Sequence, residues 1–213
     1  MGDYIDIYCE RLGPGLWAEP VNAITNAAFF IAALTAFLLA RREGKLNIQT
    51  VILIALIIVI GTGSTLFHTT ATFWAMMADS LPILFYQIAF LAFYTCRVMD
   101  AGWKGTCLML AAFAVTVSVF YRLPEEWLNG SLSYAPAFIF LLGLGIWHWR
   151  NRKTEPLSLL LAAGVFALSL TLRSLDMSVC PAFPLGTHFA WHVLNGVVLY
   201  LTARAWVLNG KRV

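Results

Sequence analysis

Long apolar runs alternate with short polar breaks along this 213-residue chain. A helix that crosses a membrane needs roughly 17–25 mostly apolar residues. Seven stretches meet that length, at about 20–40, 48–68, 75–96, 104–121, 132–149, 156–174 and 187–208. The breaks between them are polar or turn-forming: Arg41 to Lys45, Asp100 to Gly102, Pro124 to Glu126, Arg150 to Lys153 and Pro181 to Gly186. The pattern predicts an all-α membrane protein, a seven-transmembrane helix bundle. Residues 1–213 are expected to form one domain, with 1–18 as an arm outside the membrane. No internal repeat or low-complexity linker interrupts the pattern.

Composition narrows the class. Charged residues make up 12% of the chain, about half the ~25% of a soluble domain. Too little polar surface is left for a water-soluble fold. The net charge of +3 is mild, and no basic run with interleaved aromatics points to nucleic acid. Nothing in the sequence identifies a protein partner. The first 18 residues contain Asp3, Asp6 and Glu10 and no basic n-region, so they do not read as a secretory signal.

Lys and Arg positions give an orientation, because cytoplasmic loops carry the excess of basic residues. With seven spans, 11 of the 14 basic residues fall on one side; Arg11, Arg122 and Arg173 fall on the other. The N-terminus is therefore expected outside and the C-terminus in the cytoplasm. That topology brings scattered polar residues to one depth near the outer leaflet. His68 ends the second helix, Asp79 opens the third, and His188 and His192 open the seventh. Glu19, Asn22 and Asn26 lie at the outer start of the first. The compartment facing the site is periplasmic, lumenal or extracellular, depending on the source.

The spacing suggests chemistry. Ser64 and His68 are four apart, as are His188 and His192, so each pair shares a helix face. Two imidazoles so placed can share one cation, with His68 as a third ligand from a facing helix. Three protein ligands and one open position make a catalytic zinc site. Asp79 then stands where it can move protons, and Ser64 where it can donate to an oxyanion. A proton or ion pathway and a structural network remain the alternatives; intramembrane ionisable groups are costly enough to indicate function. His148, beside Trp147 and Trp149, reads instead as an interfacial packing residue. Glu19, Asn22 and Asn26 form a polar stripe with Thr25. They read as interhelical hydrogen bonding, as support for the metal ligands, or as ligands of a second cation. Cys9 and Cys180 both lie outside, where an oxidising compartment permits a disulfide; two free thiols are the alternative. Cys96 and Cys107 read as packing residues.

These residues carry a resemblance. The motifs Gly63-Ser64-x-x-Phe67-His68, Asp79-x-x-Pro82 and His188-x-x-x-His192 resemble the alkaline ceramidase family in order and spacing. That family lies in a superfamily of seven-helix membrane hydrolases that also contains the adiponectin-receptor-like proteins. The Glu19, Asn22, Thr25, Asn26 stripe is similar to its first-helix motif, with Thr where Ser is common. The resemblance spans essentially the whole chain, and the N-outside orientation fits the ceramidase branch. It implies that His68, His188 and His192 bind zinc, Asp79 handles protons and Ser64 stabilises the oxyanion. It also implies a Cys9–Cys180 bridge and hydrolysis of ceramide or a related lipid amide to a fatty acid and a sphingoid-type amine.

A seven-helix lipid receptor or sensor, or a proton or ion translocator, is the other function class for the same cluster. The stretch 187–208 contains no Lys for a retinal Schiff base, and the polar groups gather near one face rather than the midplane. A further departure concerns calcium, which the family's animal members bind through an acidic N-terminal arm. Here Ile7 stands where Asp is expected, and Arg11-Leu12 replaces an acidic-then-Asn pair. Glu10 and Glu19 remain as candidate Ca2+ ligands, against a requirement of 6–8 oxygens.

Overall fold

The computed structural model describes residues 4–124 and 127–210. Asp3, Glu125, Glu126, Lys211 and Arg212, used in the sequence reading, lie outside the described residues. Among the described residues the chain is helical. Helix α1 spans Pro20–Arg42, with a turn at Asn26 that separates Pro20–Thr25 from Ala27–Arg42. There follow α2 (Ile48–Thr70), α3 (Phe73–Arg97), α4 (Gly102–Phe120), a 3-10 segment (Trp127–Tyr134), α5 (Ala135–Arg150), α6 (Ser158–Val179) and α7 (His188–Asn209).

Local chemistry sets several ends. Pro20 opens α1, where its missing N–H costs nothing. The Asn47 side chain accepts the Thr50 N–H and caps α2. Two ends differ from the sequence expectation. Helix α6 runs to Val179 rather than stopping near 174, because Arg173 and Asp176 are buried and find partners in neighbouring loops. Helix α5 begins at Ala135, since the residues before it form the 3-10 segment, with left-handed backbone at Leu128, Asn129 and Gly130.

Helices α1 to α4 and α6 are each long and apolar enough to cross a membrane, and so is α5 taken together with the 3-10 segment before it, as Trp127–Arg150. At 1.5 Å per residue, 22 residues of α7 reach about 33 Å, but His188, His192, Asn195 and Arg204 make it more polar. The outer faces suit lipid: Ile31, Leu34, Leu108 and Val115 are all more than half exposed. In water such surfaces would drive association. The protein is an integral, multi-pass membrane protein.

The packing brings the start of α1, the end of α2 and the starts of α3 and α7 together. Helix α2 packs along α3, and α7 lies between α1 and α6. Helix α4 is peripheral, with Phe113 as its buried residue. The closest approach is at Gly63, where any Cβ would run into the Ala78 carbonyl. Pro82, inside α3, has no N–H for the carbonyl four residues back. That carbonyl is Ala78's, and Gly63 packs against it. The Gly63 and Pro82 positions thus set Ser64 beside Asp79.

Candidate metal centre

His68, on the last turn of α2, is fully buried; His188 and His192, on the first turns of α7, are 2% and 1% exposed. Each offers a ring nitrogen, and the three atoms lie within 4.8 Å of one another. His68 Nε2, His188 Nδ1 and His192 Nε2 are buried and have no hydrogen-bond partner. A buried polar atom left unpaired costs about 1–3 kcal/mol. Three together at one point are what a metal site leaves when only the protein is considered.

The opposite edges of two rings are held. His68 Nδ1 meets Glu19 Oε2 at 2.5 Å. His192 Nδ1 meets Thr25 Oγ1 at 3.0 Å. The single Thr25 hydroxyl proton is directed at the Val21 and Asn22 carbonyls, at 2.8 and 3.1 Å. Thr25 therefore accepts from His192 Nδ1–H, and Nε2 keeps its lone pair. A carboxylate or hydroxyl behind a metal-binding His fixes its tautomer in this way.

Burial alone would raise the Glu19 pKa. Hydrogen bonds from His68, Asn22 and Arg11 outweigh it and hold the carboxyl below the usual carboxylate range. Glu19 is thus an anion that accepts His68 Nδ1–H. Asn22 steadies it through Nδ2 at 2.9 Å. Asn26 reaches no histidine; its amide donates to the Asn22 carbonyl at 3.0 Å. Glu10 accepts the Val21 and Asn22 N–H groups at 2.7 and 2.8 Å and so caps the first turn of α1.

Ser64 is buried, and its hydroxyl is within hydrogen-bonding reach of Asp79. Asp79, Ser80, Tyr8, Tyr134 and Arg173 line a mixed polar and apolar cavity of about 340 Å³. A second, almost wholly apolar cavity of about 90 Å³ lies between the helices. Phe29, Phe90, Phe166, Trp191 and Val198 are among its walls. Phe29 also faces His192, with ring centroids 6.2 Å apart, so the apolar cavity adjoins the histidine cluster.

Several residues that hold this site were not picked out by spacing. Tyr8 stacks on His188 at 3.6 Å between centroids; burial pushes its phenol pKa up, so the ring stays neutral. The disulfide expected from the sequence does join Cys9 to Cys180. Buried Asp176 accepts the N–H groups of Cys9, Thr187 and His188 at 2.9, 2.7 and 2.9 Å. It ties the arm to the start of α7 and orients the His188 turn. The available signal was Asp176 itself, an ionisable residue inside an apolar stretch. Arg173 Nη1 donates to the Asn129 carbonyl at 2.7 Å and to Ser131 Oγ at 3.0 Å. Its guanidinium lies over the Tyr8, Tyr134 and Trp191 rings.

Residues 13–208 match the model of the ceramidase family. The chain belongs to that family. A search of curated proteins returns no match. Membership in the ceramidases supports a hydrolase acting on a lipid within a membrane-embedded bundle, and the buried three-histidine cluster could hold a metal ion.

Proposed function

We propose that this ceramidase-family protein is an intramembrane zinc-dependent amidase. It cleaves the N-acyl bond of ceramide or a related lipid amide, releasing a fatty acid and a sphingoid-type amine. The observation that carries the reading is the convergence of three buried, unpartnered imidazole nitrogens beside a carboxylate-bearing cavity. Residues 1–213 act as one seven-span domain. The N-terminus is outside, the C-terminus cytoplasmic and the site near the extracytoplasmic leaflet.

His68 Nε2, His188 Nδ1 and His192 Nε2 would hold the ion. All-nitrogen donors with neutral imidazoles suit zinc. Zinc bound there supplies Lewis acidity, polarising the amide carbonyl and acidifying water. The protein's own groups do the rest. The apolar cavity takes the acyl chain and keeps bulk water from the scissile bond. The Asp79 carboxylate accepts a proton from the attacking water. It returns that proton to the amide nitrogen as the C–N bond breaks, so the products leave as carboxylic acid and amine. The Ser64 O–H turns from Asp79 toward the oxygen on which charge develops. Glu19 and Thr25 keep the His68 and His192 rings aimed throughout.

The test is product release from matched long-chain lipid amides and esters by detergent-purified protein, with Asp79→Asn alongside. Asp79→Asn is expected to lower turnover by about 10²–10⁴-fold and to leave metal content unchanged. Full activity in Asp79→Asn contradicts the proton role. Binding of the lipids without hydrolysis by wild type favours a sensor over an enzyme.

A further inference from the structure

Arg11 is a charged residue buried at the outer end of the bundle, with its side chain wholly shielded. Every branch of its guanidinium is used. Nε donates to Glu19 Oε1 in a short, charged hydrogen bond. Nη1 donates to the Gly13 carbonyl and Nη2 to the His68 carbonyl, each at 3.0 Å. Glu19 Oε2 in turn accepts from the His68 ring. Arg11 therefore grips His68 twice, directly at its backbone and through Glu19 at its imidazole.

The same residues do not fit a calcium ion. Calcium takes 6–8 oxygen ligands. Both Glu10 oxygens are taken by backbone N–H groups. The Glu19 oxygens are taken by Arg11, Asn22 and His68. Ile7 and Leu12 bring no side-chain oxygen, and Leu12 is 91% exposed. Asn22 Oδ1 and Asn26 Oδ1 are unpartnered, but two oxygens are too few. The Arg11 guanidinium stands against Glu19, and its positive charge would repel a divalent ion there.

We infer that Arg11 is a fixed internal cation that positions His68 for the metal, and that this site works without a second metal ion. The inference rests on the metal site of the proposed function. It is separable from a mere tether, because the arm has other anchors. These are the Cys9–Cys180 disulfide, the Cys9 N–H bond to Asp176, and the Ile5 N–H bond to the Ala71 carbonyl at 2.8 Å. Removing the guanidinium leaves the arm attached and frees the His68 ring from one side.

Two measurements test it on the full chain. The first compares zinc release to a competing chelator from wild type, Arg11→Met and Arg11→Lys. Partners behind metal ligands are typically worth about 10–100-fold in affinity. Arg11→Met is expected to release zinc faster by a factor in that range, with the disulfide intact. Arg11→Lys, which restores charge but not the fork, is expected to recover part of the loss. The second needs no variant: wild type is titrated with calcium to millimolar levels, reading calcium per protein and thermal midpoint. Neither is expected to respond. Wild-type zinc release in a folded Arg11→Met protein overturns the positioning role. Stoichiometric calcium uptake with a raised midpoint overturns the internal-cation assignment. Wild type that holds no zinc instead overturns the proposed function, and with it the metal that Arg11 is argued to serve.

Discussion

Two histidine environments sit at opposite ends of the bundle, and both are buried. At one end, His148 is fully buried. Its Nδ1 takes a short hydrogen bond from the Tyr94 hydroxyl, and its Nε2–H points to the Thr154 and Glu155 carbonyls, both at 3.1 Å. Each nitrogen has its partner within the chain. At the other end, His68, His188 and His192 are as deeply buried, yet each keeps one nitrogen unpaired. Burial and residue type are the same, so neither separates a ligand from a packing residue. The unspent lone pair does. His148 closes a helix end, whereas the other three leave their capacity open at one shared point.

The largest test of that contrast is His68→Ala. It is expected to reduce lipid-amide hydrolysis to background in protein that still runs as a single folded species in detergent; substantial turnover would break the distinction. Ser64→Ala comes next. Loss of an oxyanion donor is worth about 10²–10³-fold in rate, and metal content and substrate binding should hold. An effect on metal content would mean that Ser64 supports the histidines instead.

His148→Phe sharpens the comparison from the other side. It strands the Tyr94 hydroxyl and two carbonyls, so thermal or denaturant unfolding should show a loss of about 1–3 kcal/mol. Zinc per protein and turnover per folded molecule should not change. The smallest effect lies beside His148, where Glu155 pairs with Arg204. The hydrogen bond from Arg204, and its charge, hold the Glu155 pKa below its usual value. A depressed carboxylate contributes stability above its unfolded pKa and loses it as pH falls through the folded one. The pair is part-exposed, so its contribution is under about 1 kcal/mol. Glu155→Gln should therefore match wild type at low pH and fall slightly below it near neutrality, and a gap that widened on acidification would contradict the pairing.

Much of this was legible in the sequence because membrane helices advertise themselves. Apolar runs and basic breaks placed the helices to within a few residues at most ends. The four-residue spacings put Ser64 with His68, and His188 with His192, on shared faces. What failed to show was anything that depends on a buried charge finding a partner far along the chain. Arg173 and Asp176 read as the end of a span, but Asn129, Cys9 and Thr187 satisfy them and the helix continues. Arg11 read as a loop cation, yet its contacts reach 57 residues along to His68. His148 read as interfacial, and its hydrogen bonds draw it fully inside. Within the polar stripe, Glu19 and Thr25 reach histidines while Asn26 does not. Helical spacing marks the face, but the individual contacts depend on how α1 is rotated against α2 and α7.

The central claim is most directly tested by zinc per protein, measured by elemental analysis on detergent-purified wild type, His192→Ala and His148→Ala prepared alike. The account predicts about one zinc in wild type, as three protein ligands and an open position require. It predicts much less in His192→Ala and an unchanged value in His148→Ala. No zinc in wild type after zinc is supplied, or equal loss from both variants, would contradict it and return the three-histidine cluster to a proton relay or structural network.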